Sequence, residues 1–246
     1  MNTTRNTCNL YLNSKQAITK INGSTSNCIF DFNNLPIDDG DIYVSVQTAQ
    51  IPCTFYNVDS INNLLVYSVG AGPNINLVIP PSNYNVNTLL SYLMSVMTGF
   101  TVTYNTYTNK YTFTHSSSSF AFKSTSTCFE LIGFVDGAQY NSSGLSLVST
   151  ISVNFFTIRN ILIECSNLIT VNKTSDITDS NQSILTSIPI TVSQGSILSY
   201  SNVFGLSDRV ASVKNFASLQ IRLLDQDLDL LNLNGTEWSI TLQLNY

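Results

Sequence analysis

The stretch EWSITLQLNY, Glu237 to Tyr246, decides the fold class. Trp238, Ile240, Leu242, Leu244 and Tyr246 point one way, while Glu237, Ser239, Thr241, Gln243 and Asn245 point the other. This alternation matches the two-residue repeat of a strand with one buried face and not the 3.6-residue repeat of a helix.

The same period recurs upstream. Leu219, Ile221 and Leu223 oppose Gln220 and Arg222. Cys28, Phe30 and Phe32, then Ile42, Val44 and Val46, then Ile151, Val153 and Phe155 each predict a strand with one buried face. Turn chemistry separates these runs at Asn22-Gly23, Asp38-Asp39-Gly40, Gly70-Ala71-Gly72-Pro73 and Asn234-Gly235. Short strands so punctuated predict a mainly β chain, a sandwich or a barrel. Pro189, inside Ile184 to Val192, lacks an N–H and places that strand at an edge or bulge. No internal repeat of solenoid or propeller length is present.

One segment breaks the pattern. Val86, Leu89, Leu90, Leu93 and Met97 follow helical spacing, with Asn85 placed to cap the start and Gly99 to close the end. Phe100, Val102 and Tyr104 then alternate, Asn105 to Asn109 turns, and Tyr111, Phe113 and His115 alternate again. A short strand at Phe120 to Lys123 and a brief helix over roughly 125–131, ending at Gly133, complete a small helix-plus-hairpin unit. Asp136 to Gly144 links back to strands.

At 246 residues the chain can bury a substantial core. Only 10% of it is charged, against about a quarter in ordinary globular chains, and Asn, Ser and Thr supply the polarity instead. Two readings of this follow. Surface and sheet edges are covered by neighbouring copies, since lone subunits guard edges with charge; or composition has drifted with an AT-rich genome. The ten Lys and Arg form no basic stripe, so direct nucleic-acid binding is not expected. No run approaches the roughly 18 apolar residues that span a bilayer. Met1 to Thr7 lacks the apolar core of a secretory signal.

Motifs for chemistry are sparse. Cys8, Cys28, Cys53, Cys128 and Cys165 form no CxxC pair, which predicts reduced, buried thiols. Sequons such as Asn22, Asn141 and Asn234 are expected to be unmodified matches in an Asn-, Ser- and Thr-rich chain. His115, the one histidine, stands at a strand end beside four serines, with no nucleophile elbow to serve. Phosphate-binding glycine loops are missing. Asp225, Asp227 and Asp229 alternate like the start of a calcium loop, but Leu230 occupies the obligatory glycine position and Thr236 that of the glutamate. The acids are expected to line the solvent side of an extended segment. No catalytic, cofactor-binding or metal residue is nominated, and no local feature argues for a hydrolase.

The order of several segments carries a resemblance. VQTAQIPCTFYNV (Val46 to Val58) precedes VIPPSNYNVNTLLSYL (Val78 to Leu93), VTYNTYTNKYTFT (Val102 to Thr114) and CFELIGF (Cys128 to Phe134). SIPITVSQGSILSY (Ser187 to Tyr200) and LQIRLLDQDLDLLNLNGTEWSITLQL (Leu219 to Leu244) follow. This succession resembles the penton and minor capsid proteins of virophages, Maverick/Polinton-type elements and related large DNA viruses. Ser82 stands where that family often has glycine after its paired prolines.

The resemblance implies a single jelly-roll sandwich with no catalysis and no cofactor. It implies a homo-oligomer, a pentamer at the five-fold vertices of an icosahedral capsid, beside a separate major capsid protein. The expected location is the virion, with assembly in the host cytoplasm. Residues 80–140 would be an inserted unit, and 1–79 with 141–246 the jelly roll; alternatively the helix plugs one end of the sandwich. A rival reading is a binding module, a spike base or lectin-like glycan binder using Tyr104, Tyr107, Tyr111 and Phe120.

Overall fold

Within the stretch Glu237 to Tyr246, Ser239–Asn245 becomes a strand in the middle of a sheet in the computed structural model, which describes residues 6–32, 42–166, 183–203, 209–211 and 218–246. The Asp38-Asp39-Gly40 turn lies outside these residues. In chain order the elements begin with β1 (Thr7–Asn13), β2 (Thr19–Lys20), β3 (Asn27–Asp31) and β4 (Ile42–Pro52). Next come β5 (Leu64–Val69), β6 (Ile75–Val78), α1 (Val86–Val96), β7 (Phe100–Asn105), β8 (Lys110–His115) and β9 (Phe120–Phe122). They are followed by α2 (Phe129–Ile132), β10 (Tyr140–Asn141) and β11 (Ser146–Val148). The last are β12 (Asn160–Cys165), β13 (Ile184–Pro189), β14 (Ile197–Ser201), β15 (Arg209–Ala211), β16 (Ser218–Leu224) and β17 (Ser239–Asn245). The chain divides into two compact units, Met1–Phe55 with Ile158–Tyr246, and Tyr56–Thr157.

The first unit is a jelly roll. One sheet runs β1-β17-β4-β14, with β15 also on β4, and the other runs β13-β12-β16-β3-β2. Setting aside the short β2 and β15, the first principal strand pairs with the eighth and the second with the seventh. The third pairs with the sixth and the fourth with the fifth, all antiparallel. This nesting of hairpin partners across two sheets is the jelly-roll arrangement. The alternating residues explain it: Leu10 and Leu12, Val44 and Val46, Ile161 and Ile163, Leu219 to Leu223, and Ile240 to Leu244 fill one core between the sheets. β13 ends the second sheet's strand order, where Pro189 costs no central ladder bond.

The alternation in β4 changes phase. Ile42, Val44 and Val46 are buried, then Ala49 and Ile51. The register with β17 slips between Thr241 and Leu242, leaving Gln47 without an opposite residue. One extra residue reverses the inward face beyond it, as a β-bulge must.

Trp238 anchors this core. It is 2% exposed, its indole Nε1–H donates to Thr25 O at 2.6 Å, and its ring meets Phe30 edge-on at 5.9 Å. Its backbone N–H donates to Ser14 Oγ at 2.9 Å, and Ser14 N–H donates back to Trp238 O at 3.0 Å. Asn234 and Gly235, both with positive φ, turn the chain just before it.

The second unit lies in sequence between the third and fourth principal strands. Its sheets run β10-β9-β5-β6 and β11-β8-β7. Its core is aromatic, with Phe113 against Phe122 at 4.9 Å and Phe100 against Phe120 at 4.8 Å. Asn85 caps α1, its side chain accepting from the N–H groups of Asn87 and Thr88 at 3.0 Å each. Thr88 Oγ1 accepts from Asn85 N–H at 2.9 Å, completing a capping box. Leu89, Leu93 and Met97 pack α1 into the same core as Val102, Phe113 and Phe122.

Three expectations need amendment. The boundaries at 79/80 and 140/141 fall inside the second unit, because β9 pairs with β5 and β8 with β11, strands beyond the 80–140 window. Ile151 to Phe155 is not a strand. Its backbone bonds go elsewhere, Ile151 N–H to Gly133 O, Val153 N–H to Asn109 O and Asn154 N–H to Glu130 O, each 2.9 Å, so alternation there follows no ladder. The second helix is a single turn beginning at Phe129 and ending at Gly133 in the left-handed region. Ser82 fits its place: it exchanges backbone bonds with Val58 at 3.0 and 3.2 Å and is not among the residues with positive φ.

Candidate functional site

Two of the residues that could perform chemistry, His115 and Glu164, are occupied by structural work. His115 ends β8, 8% exposed, its Nδ1 accepting from the N–H groups of Ser117 at 3.3 Å and Ser118 at 3.1 Å. Its ring lies 4.9 Å from that of Phe100, and the imidazole thus holds the serine loop in place. Glu164 is buried opposite Arg222 on neighbouring strands, with a 2.8 Å ion pair.

Asp225 does not begin an extended acidic segment, as the alternation suggested. Its Oδ1 accepts from the N–H groups of Asp227 and Asp229, each at 2.9 Å, and Leu228 has φ +72. An Asp side chain that bonds the next backbone donors competes with extended structure and makes a tight turn. Burial raises the Asp225 carboxyl's pKa, partly offset by those two bonds. Among the described residues no group of three or more His, Cys, Asp or Glu is placed to hold a metal.

All five cysteines are free, and Cys28, Cys53, Cys128 and Cys165 are buried. Burial pushes the Cys28 thiol up to about 11 and raises those of Cys53 and Cys128, which keeps them protonated and poor nucleophiles at neutral pH. The four aromatics considered for glycan binding separate. Tyr111 and Phe120 are core residues, Tyr104 OH donates to Asn109 Oδ1 at 2.8 Å, and only Tyr107 is exposed, at the β7–β8 turn. No helix among the described residues is long and apolar enough to cross a membrane.

Glu237 joins the chain's early and late parts. Its carboxylate accepts from Lys20 Nζ at 2.6 Å and from Ser14 Oγ. Burial alone would raise its pKa, but the bonds from Lys20 and Ser14 and the nearby lysine charges outweigh it and hold it below the ordinary value. A carboxyl depressed by folding stabilises the fold above its unfolded pKa and loses that contribution as pH falls through the folded one. Stability against urea should therefore decline below about pH 4.5 in part through this group. Glu237→Gln should be less stable at pH 7 and show a shallower acid decline than the native chain. An unchanged slope would show that Glu237 does not carry it.

What remains as a candidate site is surface. None of the residues of β1, β17, β4 and β14 is Asp, Glu, Lys, Arg or His, and from Ile42 to Asn109 Asp59 is the sole residue of those types. β15, the fifth strand of that sheet, brings Arg209. On the outer face Tyr11, Thr241, Thr48 and Ser201 stand in one row across four strands. Thr48 Oγ1 donates to Thr241 Oγ1 at 3.0 Å and Gln47 Nε2 to Gln243 Oε1 at 3.1 Å, tying neighbouring strands together. Tyr11 is 77% and Ile197 58% exposed. The strands of the other sheet, by contrast, carry Lys20, Asp31, Glu164 and Arg222.

No family model and no curated protein matches this sequence. Among solved structures, the crystal structure of the selenomethionine-labelled mavirus penton protein matches at a TM-score of 0.54 with 11% identity, covering 98% of this chain and 99% of that one. A chain of the Sputnik virophage structure determined by cryo-EM covers 96% of this chain and 97% of its own, with 12% identity and a TM-score of 0.42. The chain therefore shares its fold with the mavirus penton protein over nearly its full length.

Proposed function

We propose that this chain is a non-enzymatic capsid subunit, the penton that closes the five-fold vertices of an icosahedral shell. The observation that carries this reading is the match of the whole chain, jelly roll and intervening unit together, to a penton protein. Fold alone hosts many functions; here the family resemblance, the structural occupation of His115, Glu164 and Asp225, and a weakly charged surface all support a part built to be covered. In this reading five copies join around the vertex, a separate major capsid protein surrounds them, and the chain resides in the virion after assembly in the host cytoplasm.

Native mass spectrometry of the purified full chain tests it. A ring of five copies is the expected species. A monomer that persists at micromolar concentration and is not taken up into shells of the major capsid protein overturns the reading.

A further inference from the structure

We infer that the outer face of the β1-β17-β4-β14 sheet is the surface by which one copy of this chain meets the next. The inference rests on the capsid reading and specifies where its self-contact lies.

Charge selects the occupant. Every copy carries a net charge of −5, so two copies brought together repel wherever their acids face each other. Interface cores are depleted of charged residues, because an ion stripped of water without a partner is costly. The four strands of this face offer no ion to strip. A basic partner would instead be drawn to Asp225, Asp227 and Asp229, which lie off this sheet.

Shape and edge chemistry agree. Seven residues at about 3.3 Å rise and four strands at about 4.8 Å spacing make a patch of about 23 by 19 Å. That is more than half of the roughly 800 Å² per partner of a standard interface even before side-chain relief is counted. Tyr11 and Ile197 supply apolar anchors on its two outermost strands. β1 pairs with β17 over seven residues without a bulge and carries no Lys or Pro, the devices by which free edges are guarded. Between the anchors, Thr, Ser, Asn and Gln offer donors and acceptors that pair without regard to charge.

The test places charge on this face with little change of shape. Gln50→Glu with Gln243→Glu in the full chain is compared with Asn27→Asp with Ser187→Asp, which add the same charge to the strands of the other sheet. Sedimentation velocity over a concentration series reads self-association, and Trp238 fluorescence with circular dichroism checks folding. The face variant is expected to weaken association at least tenfold, partly recovered near 1 M salt where the Debye length falls to about 3 Å. The control pair and the salt series on the native chain should leave association unchanged. Tyr11→Ser, at an exposed position, is expected to weaken association as well and serves if the double variant misfolds. Association unaltered by the face variants, with the native chain still oligomeric, overturns this inference and leaves the capsid reading standing. A native chain that never self-associates, alone or in shells, overturns both.

Discussion

Trp238→Ala should remove most of the stability of the jelly-roll unit, with a loss of about 3–5 kcal/mol. Three contributions meet at this residue. The indole fills the core beside Phe30, so truncation leaves a cavity in a close-packed interior. Its Nε1–H satisfies Thr25 O, in a buried residue, whose other donor among the described residues is the weak thiol of Cys28 at 3.2 Å. It also sits where Ser14 and Glu237 bind the chain's first and last strands together. Trp238→Phe separates these terms: it keeps most of the packing and removes the donor, and should cost about 1–3 kcal/mol. Urea denaturation followed by circular dichroism measures both. The native reference has a further probe, because Trp238 is the sole tryptophan and its emission reports on this unit. A loss below about 1 kcal/mol for the alanine variant would show that the core closes over the gap, contrary to what close packing requires.

Much of the jelly roll was legible because its strands are buried on one face only, and one buried face prints a two-residue period on the sequence. Ser239 to Asn245, Leu219 to Leu223 and Ile42 to Val46 became strands for that reason. The failures share a cause. Periodicity states which residues hide but not what they pair with. Ile151, Val153 and Phe155 alternate, yet the N–H groups of Ile151 and Val153 bond to a helix end and a hairpin turn. Tyr111 and Phe120 looked available to a ligand because alternation leaves open which face is inward, and both point into the second core. The extent of that unit was equally hidden, since β5 belongs to it through long-range pairing with β9, β6 joins through β5, and no local signal marks the bond between β5 and β9. At Asp225 the side chain captures two backbone donors and bends a segment whose alternating acids had suggested extension. Low charge was plain in the composition. Its concentration on one sheet needed the strand order, which places four uncharged strands side by side.

The second unit has its most sensitive point at Gly133, where substitution should cost more than any exchange at an exposed glycine. Gly133 closes α2 at φ +82, and Phe134 N–H donates back to Phe129 O at 2.8 Å across the turn. A side chain here meets two obstacles. The left-handed conformation costs an L-residue about 1–2 kcal/mol. An added Cβ would also lie 2.6 Å from Ile151 O and 2.8 Å from Ser149 Cβ. Neither neighbour can swing aside. Ile151 N–H donates to Gly133 O at 2.9 Å, and Ser149 Oγ donates to Ile132 O at 2.6 Å. Gly137 separates the obstacles, because it has φ +78 but nothing within 4 Å of an added Cβ. Gly137→Ala should therefore cost about 1–2 kcal/mol from conformation alone. Gly133→Ala should cost at least about 2 kcal/mol more, since the turn must move and take with it the bonds that tie residues 149–154 to α2 and the β7–β8 turn. Hydrogen exchange across 110–155 would show the loss as faster exchange in β8, α2 and β11 for Gly133→Ala and little change for Gly137→Ala. Equal effects at the two positions would mean that the close approach to Ile151 relaxes freely, and that the segment after β11 is held by something other than the end of α2.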